Sequence, residues 1–297
     1  MNNKSVLAKL AAVAVFAVLT TAFSGCFTSN RVTLATLNTP EAVLAGEIMA
    51  LQLENFGMEV VRGRTYHSLA ELEAGMRAGE FDISAVFLQD ALTGFAVIGE
   101  SPVFDQTLAE EIVNNTIRDV FGYMLLDWWN IHAHYSLVMS ERFTQDDQFN
   151  LVMLSVIAPD LTLAATQDFL ESAGGLAHLR ELFGELEFGR VIVVDQEDLY
   201  DAAGLGADIL VVRSFQEGDW FADAGYFPIG EGFSLWPSNP MVPVASEYVM
   251  ERLPEIRAIL SSISFHIEPA TFARNLRAIG QGTQTFEQAA NDILQSR

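Results

Sequence analysis

The sequence predicts an α/β protein built from two similar units with a ligand cleft between them, and three observations carry that prediction. Short apolar strands alternate with helical segments along most of the chain. Residues 76–87, MRAGEFDISAVF, have a loose repeat in residues 202–213, AAGLGADILVVR; in both, a helix ends at glycine and an Asp-Ile strand follows. No long linker separates the two halves. Because open α/β sheets bind ligands at the ends of their strands, two such units place the cleft between them.

The first unit reads strand, helix, strand, helix, strand. Pro40 suits the start of a helix, and Gly57 and Gly79 suit helix ends. The predicted elements are a strand at 32–38, a helix at 40–57, a strand at 58–66, a helix at 68–79 and a strand at 81–87. This order favours a parallel sheet with right-handed crossovers.

The second unit repeats the alternation, and a helical tail follows it. An apolar stretch at 151–166 leads into the predicted elements, which are a helix at 169–184, a strand at 190–195, a helical segment at 197–206 and a strand at 207–215. Residues 250–263 and 269–279 have the apolar periodicity of helices.

The first 25 residues read as a signal peptide. The basic segment MNNKSVLAK precedes an apolar run of 14 residues, shorter than the roughly 20 residues that span a bilayer. The stretch Phe23-Ser24-Gly25-Cys26 then resembles a bacterial lipobox, with phenylalanine where leucine is usual. We expect a lipid on Cys26, a tether over 26–31 and attachment to a membrane surface. Ordinary signal cleavage beside an incidental cysteine is the alternative.

The charge of the remaining chain is strongly negative. Both lysines, Lys4 and Lys9, lie in the signal segment, so 14 arginines face 39 acidic residues and the formal charge is −25. Such a chain repels nucleic acid and anionic lipid. A solvated acidic surface explains most of this charge, and its field favours a cationic ligand over an anionic one.

Catalytic motifs are missing from the sequence. It contains no P-loop, GxGxxG, HExxH or GxSxG, and Cys26 is its only cysteine. The stretch NIHAHYSLVM, residues 130–139, places His132 and His134 on one face of a strand. Zinc would need two further ligands, and Asp127 is the acidic residue nearest to the two histidines. We therefore expect no cofactor, and we retain a metal-dependent enzyme at this histidine pair only as an alternative.

Residues 32–297 resemble the substrate-binding lipoproteins of ABC transporters for osmoprotectants, which take up glycine betaine, choline and related quaternary ammonium compounds. The segments that carry the resemblance occur in the family's order: TLNTPEAVLAGEIMALQLENFGMEV, GEFDISAVFLQDALTG, HAHYSLVM, DFLESAGGLAHLRELFG, GADILVVRSFQEG, SLWPSNPMVPV, LPEIRAIL and ATFARNL.

The resemblance implies a two-lobed periplasmic-binding-protein clamshell, type II-like, with the ligand cleft between the lobes. It assigns 32–136 and 235–297 to lobe 1 and 137–234 to lobe 2. It implies an extracytoplasmic, non-enzymatic protein whose ligand-closed form is recognised by a membrane permease.

The family holds trimethylammonium groups in a cage of aromatic rings by cation–π attraction. The resemblance places the cage rings on Phe87, Tyr135, Phe215 and Trp236. Core packing is the alternative role for each, and Trp128, Trp129 and Trp220 are less well aligned substitutes. Asn38, Asp90 and Glu217 complete the implied ligand-binding set.

Two basic positions of the family are changed in this chain. The lysine and arginine that hold a betaine carboxylate fall on Leu37 and Ser172, and a threonine falls on Asp90. A bound carboxylate therefore lacks its charge-assisted partners. The resemblance and these changes together predict a choline-like or amine cation in preference to glycine betaine.

Two further alternatives stay open. The same clamshell fold could serve a different small solute, or the chain could be a sensor or structural surface lipoprotein.

Overall fold

The computed structural model of the protein describes residues 30–95, 103–144, 151–171, 173–184, 186–195, 198–214, 224–229, 235–264 and 267–296. The strands are β1 (Arg31–Leu37), β2 (Glu59–Tyr66), β3 (Ile83–Phe87), β4 (Tyr123–Leu125), β5 (Trp129–His132), β6 (His134–Ser140), β7 (Thr162–Ala165), β8 (Arg190–Val193), β9 (Ile209–Ser214), β10 (Tyr226–Pro228) and β11 (Pro240–Ser246).

The helices before the second half of the chain are α1 (Pro40–Asn55), α2 (Leu69–Ala78), α3 (Leu88–Gly94), α4 (Gln106–Phe121) and α5 (Glu141–Thr144). The remaining helices are α6 (Leu154–Ile157), α7 (Gln167–Glu171), α8 (His178–Phe183), α9 (Ala202–Leu205), α10 (Glu247–Arg252), α11 (Glu255–Ser264), α12 (Pro269–Gly280) and α13 (Phe286–Gln295).

The strands form two sheets, as the repeat in the sequence predicts. The first has the order β2-β1-β3-β11-β4, with β5 also paired to β11, and the second has the order β10-β6-β9-β7-β8. β1 runs parallel to β3, and β7 runs parallel to β8 and β9. The prediction of parallel sheets is incomplete, because β11 is antiparallel to its partners and β6 is antiparallel to β9 and β10.

The predicted helix at 169–184 is interrupted in the structure. α7 ends at Glu171, α8 begins at His178, and Gly175 between them has the non-helical angles φ −97° and ψ −122°. Gly174 and Gly175 are adjacent, and glycine is among the weakest helix formers because it loses the most backbone freedom on folding. The apolar periodicity alone did not reveal this break.

Each sheet has an apolar core on both of its faces. In the first sheet, one core contains α1 and the C-terminal helices α11–α13, and the other contains α2, α3 and α4. In the second sheet, one core contains α6, α7 and α8, and the other lies on the opposite face of β6 and β9. The buried positions of β3 and β11 are continuous, as expected for strands covered on both faces.

Asp82 fastens the first sheet at the start of β3. Its Oδ2 accepts a hydrogen bond from the Thr33 N–H at 2.8 Å, and its own N–H donates to the Thr33 carbonyl at 2.8 Å. Its carbonyl accepts from the Ser246 N–H at 2.8 Å, and the Tyr123 hydroxyl donates to the Phe81 carbonyl. One aspartate therefore joins β1, β3 and β11.

Asp208 repeats the arrangement at the start of β9. Its Oδ2 accepts from the Thr162 N–H at 2.7 Å, its N–H donates to the Thr162 carbonyl at 2.8 Å, and its carbonyl accepts from the Ser140 N–H at 2.9 Å. The Tyr226 hydroxyl donates to the Ala207 carbonyl at 2.7 Å. Burial raises the pKa of this tyrosine, which keeps its proton on the hydroxyl. The Asp-Ile repeat in the sequence thus corresponds to the same set of hydrogen bonds at the start of β3 and at the start of β9.

The chain passes from the first sheet to the second at Ala133, between β5 and β6, and it returns between β10 and β11. Tyr135, which the sequence analysis assigned to lobe 1, lies in β6 of the second sheet. The lobe boundaries at 136/137 and 234/235 stay predictions. None of the helices in the described parts of the chain is both long and apolar enough to cross a membrane.

Candidate ligand-binding site

The two connections between the sheets lie against each other. The Ala133 N–H donates to the Asn239 carbonyl at 2.9 Å, and the Ser238 Oγ lies 3.0 Å from the Nδ1 of His132. We call residues 235–239, which lead into β11, the return segment. The return segment brings side chains of both sheets together.

Three aromatic rings pack beside the return segment. The ring centroids of Tyr135 and Trp236 are 5.8 Å apart, and Phe169 lies 4.9 Å from Tyr135 and 6.3 Å from Trp236. All three pairs have edge-to-face geometry, which aromatic rings prefer over face-to-face stacking. Phe169 is fully buried, whereas Tyr135 and Trp236 are partly exposed. We call these residues the aromatic trio.

Hydrogen bonds position two members of the trio, Trp236 and Phe169. The Trp236 Nε1 donates to the Gly174 carbonyl at 2.7 Å, so the break between α7 and α8 supplies the acceptor that holds the indole. The Phe169 N–H donates to the Thr166 Oγ1 at 3.3 Å, which starts α7 directly after β7. The structure brings together two of the four predicted cage rings, Tyr135 and Trp236. Phe169 is an aromatic partner that the sequence analysis missed.

Phe87 and Asp90 lie on the first-sheet side of the return segment. Phe87 is 6% exposed, pairs with Met241 of β11 and packs in the core that contains α1. Asp90, in the first turn of α3, accepts a hydrogen bond through Oδ1 from the Asn239 Nδ2 at 3.3 Å. Core packing therefore accounts for much of the burial of Phe87, while Asp90 is a partly exposed carboxylate beside the return segment.

Asn38 and Leu37 lie at the end of β1. The Asn38 N–H donates to the Tyr66 carbonyl at 2.7 Å, and its Nδ2 lies 3.4 Å from the Nδ1 of His67. Because β1 and β3 are parallel, Asn38 leaves the same edge of the sheet as Phe87. Leu37 is half-buried and packs against the core that contains α2 and α4. Leu37, to which the resemblance assigns the family's lysine, is thus an apolar packing position.

The histidine pair lies at the first connection. The His132 ring makes an edge-to-face contact with Trp128 at 5.8 Å in addition to its contact with Ser238. Burial, and secondarily the neighbouring His134, lower the pKa of His132, which favours its neutral form.

The proposed third metal ligand is engaged elsewhere. Asp127 accepts from the Ser261 hydroxyl and lies 3.5 Å from the Arg257 guanidinium. In the described ranges no group of three or more histidine, cysteine, aspartate or glutamate side chains is placed to hold a metal ion.

Of the substitute cage residues, Trp129 is fully buried in the core of the first sheet and Trp128 is 42% exposed. Several predicted residues lie outside the described part of the chain: Cys26, Ser172, Phe215, Glu217 and Trp220.

Almost the whole described chain matches one protein family. Residues 30–296 match the model of a family described as the substrate-binding domain of ABC-type glycine betaine transport systems. The chain belongs to this family. The resemblance stated from the sequence is therefore confirmed, and the protein is a substrate-binding protein of the glycine betaine/choline type of ABC importer. Members of the family are extracytoplasmic solute-binding components that work with a permease and have no enzymatic activity.

Solved structures of the same fold confirm the two-lobed periplasmic-binding-protein class. A glycine betaine/carnitine/choline ABC transporter protein superposes with a TM-score of 0.73 at 17% identity, covering 89% of this chain and 97% of that one. Apo YehZ from Escherichia coli gives 0.68 at 17% identity, with the same coverage. A choline-binding ABC transporter protein in complex with choline gives 0.58 at 12% identity, covering 90% and 88%. No match was found among curated protein sequences.

Proposed function

We propose that this protein binds a small quaternary ammonium or amine cation, choline-like more than glycine betaine, beside the return segment and delivers it to an ABC permease. The observation that carries the proposal is the contact between Tyr135 of β6 and Trp236 of the return segment, 5.8 Å apart. Tyr135 lies two residues after the first connection and Trp236 lies on the second, so a ligand held by both would touch the part of the molecule where the lobes join.

Aromatic rings suit such a ligand for a physical reason. A quaternary ammonium has no N–H to donate, and its charge is attracted to the negative face of a ring by about 0.5–2 kcal/mol. Phe169, which is fully buried and contacts both Tyr135 and Trp236, stabilises their orientation before a ligand binds.

The charges near the site favour a cation over a zwitterion. Asp90 lies at the start of α3 beside the return segment, and Leu37 packs into a core where the family has lysine. A betaine carboxylate would therefore meet a negative side chain and would lack this charge-assisted partner. Choline carries the same trimethylammonium group with a neutral hydroxyl, so it keeps the attraction and avoids the repulsion.

The proposal includes the mode of attachment. The lipobox-like stretch that ends in Cys26 supports cleavage of a signal peptide and lipidation of that cysteine. Lipidation would hold the binding protein beside its permease and restrict its search to the membrane surface. Mass spectrometry of the membrane fraction tests this: a diacylglyceryl adduct on Cys26 is expected, and an unmodified N-terminus at another residue would contradict it.

Calorimetry with the purified protein tests the ligand. We expect a lower Kd for choline than for glycine betaine, and a loss of at least tenfold in choline affinity in Tyr135→Leu and in Trp236→Leu, on the order of 1.4 kcal/mol or more. Tyr248→Leu is the matched control, because Tyr248 is a 67% exposed ring on α10. Tighter binding of glycine betaine, or unchanged choline affinity in both site variants, would overturn the proposal.

A thermal-shift screen separates the alternatives that the sequence left open. A ligand that binds only the folded protein must raise its melting temperature. Stabilisation by polyamines or amino acids without an effect of quaternary amines would assign a different solute to the same fold. No stabilisation by any solute would favour a sensor or structural role.

A further inference from the structure

Asn239 occupies a connecting position between the start of α3 and the place where the chain crosses between sheets. It is 7% exposed, and both ends of its side-chain amide are engaged. Its Oδ1 accepts from the Gln89 N–H at 2.8 Å, and its Nδ2 donates to the Asp90 Oδ1 at 3.3 Å. Its backbone carbonyl accepts from the Ala133 N–H. A buried amide with both ends bonded has one orientation, and it transmits that orientation to its partners.

The start of α3 depends on this amide. Phe87, the residue that precedes the helix, has no side-chain group that can cap it, and no such hydrogen bond is formed. The Oδ1 of Asn239 satisfies the Gln89 N–H from 150 residues away in the chain. The Gln89 Nε2 in turn donates to the Val103 carbonyl at 2.8 Å and to the Ser238 carbonyl at 3.3 Å. The return segment and α3 are therefore joined twice: the Asn239 side chain bonds to the backbone of α3, and the Gln89 side chain bonds to the backbone of the return segment.

The same residue also contacts Asp90. A carboxylate on a short helix has two rotatable side-chain bonds, and the Nδ2 of Asn239 fixes one of its oxygens. A counter-charge attracts a cation most strongly when its position is set before binding, because no interaction energy is then lost in ordering it. The contact with the buried amide of Asn239 helps to set the position of the Asp90 carboxylate before a cation binds.

We infer that Asn239 is the positioning residue of the cation site: it orients the Asp90 carboxylate and connects that carboxylate to the crossing at Ala133. The inference rests on the proposed function and deepens it, since it names the residue that positions the carboxylate expected to attract the ligand's charge. Asn239 acts through Asp90, so it determines the preference for a cation over a zwitterion.

A double-mutant cycle on choline affinity tests the inference. Asn239→Ala in the otherwise unchanged protein is expected to weaken choline binding at least fivefold and to reduce the ratio of choline to glycine betaine affinity. In an Asp90→Asn background the same substitution is expected to change choline affinity less than twofold, because the charge that Asn239 positions is gone. Equal losses in the two backgrounds would overturn the inference, since they would mean that Asn239 acts independently of the Asp90 charge.

Two further variants keep the result interpretable. Asn239→Asp keeps a side-chain oxygen in position to accept from the Gln89 N–H and loses the Nδ2 donor to Asp90, so it separates loss of the helix start from loss of the contact with Asp90; its change in affinity should again depend on Asp90. Ser238→Ala is the matched control, because it removes the contact with His132 in the same segment but leaves the amide of Asn239 in place; its effect should not depend on Asp90.

The outcomes distinguish the two proposals. If the unmodified protein binds no quaternary amine, the proposed function fails and the inference falls with it. If the unmodified protein binds choline and the cycle shows no coupling between Asn239 and Asp90, only the inference fails.

Discussion

At the scale of single residues, His132 is a titratable group directly before Ala133, where the chain crosses between the sheets. Its ring is partly buried, contacts Trp128 and lies 3.0 Å from the Ser238 hydroxyl. Its pKa is lowered, first by burial and then by His134. Below its ordinary pKa of about 6.5, the unfolded chain therefore binds a proton more readily than the folded protein does. The folded state loses stability as the pH falls through this range.

We predict that the free energy of unfolding decreases as the pH is lowered from 7 to 5, and that His132→Gln makes this decrease smaller. The substitution removes the titrating ring and keeps a side chain that can bond to Ser238. Urea unfolding at a series of pH values measures the effect. His67→Gln, at an exposed histidine, is the control, and an identical pH dependence in the His132 variant and the parent protein would contradict the prediction.

The sequence predicted part of the candidate site and not the rest, for identifiable reasons. Tyr135 and Trp236 were placed by resemblance to a family, and they lie in contact although 101 positions separate them. Phe169 was missed because a phenylalanine on a helix is usually core, and only its contact with Tyr135 relates it to the trio. Asn239 was missed because its partner Asp90 lies 149 positions away, and no local pattern reports such a contact.

At the scale of elements, the two aspartate units at the starts of β3 and β9 are equivalent but differ in burial. Asp208 is 4% exposed and pairs with Arg142, whereas Asp82 is half-buried and lies 3.9 Å from Arg252. Each carboxylate accepts from the backbone N–H of a neighbouring strand. Removal of the carboxylate leaves that N–H without its partner, which costs about 1–3 kcal/mol when the group is buried.

We predict that Asp208→Ala lowers the free energy of unfolding by about 1–3 kcal/mol and that Asp82→Ala lowers it by less, because water can reach the Thr33 N–H more easily. Denaturant unfolding measures both, with Asp119→Ala on the exposed face of α4 as the control. A larger loss for Asp82→Ala than for Asp208→Ala would show that burial does not rank the two units.

The elements also show where reading the sequence succeeds. Strands and helices of the first unit were predicted within a few residues, because glycines with positive φ at Gly57 and Gly79 end α1 and α2 as expected. The direction of β6 and β11 was not predicted. It depends on which sheet a strand enters after crossing, and that is a property of the tertiary structure.

At the scale of the whole molecule, the two sheets are related by their strand orders. Read from β2 to β4 and from β8 to β10, each sheet has a central parallel group and one strand, β11 or β6, that runs against it. In both sheets that strand is the one reached by crossing from the other sheet. The two crossings are joined by the hydrogen bond between Ala133 and Asn239, so rotation of one sheet relative to the other would act on this bond.

We predict that choline reduces the radius of gyration of the protein in solution, because closure around a ligand is a hinge motion of the two lobes. Small-angle scattering with and without choline measures it. Trp236→Leu is the comparison, since it weakens the proposed site on the return segment and should leave the radius of gyration unchanged at the same choline concentration. An equal reduction in this variant would argue that the compaction does not come from binding at the aromatic trio.

The position of β11 has a consequence for the order in which the chain can fold during synthesis. β3 and β4 are not neighbours in the first sheet, because β11 lies between them and pairs with both. A nascent chain that has emerged only to β4 holds two strands with a vacant place between them, and residues 240–246 fill it after the entire second sheet has been made. The first sheet to be translated is therefore the last to be completed. Until then its two open edges can pair with other chains, so the unfinished protein needs to be kept apart from its neighbours for most of its synthesis and export.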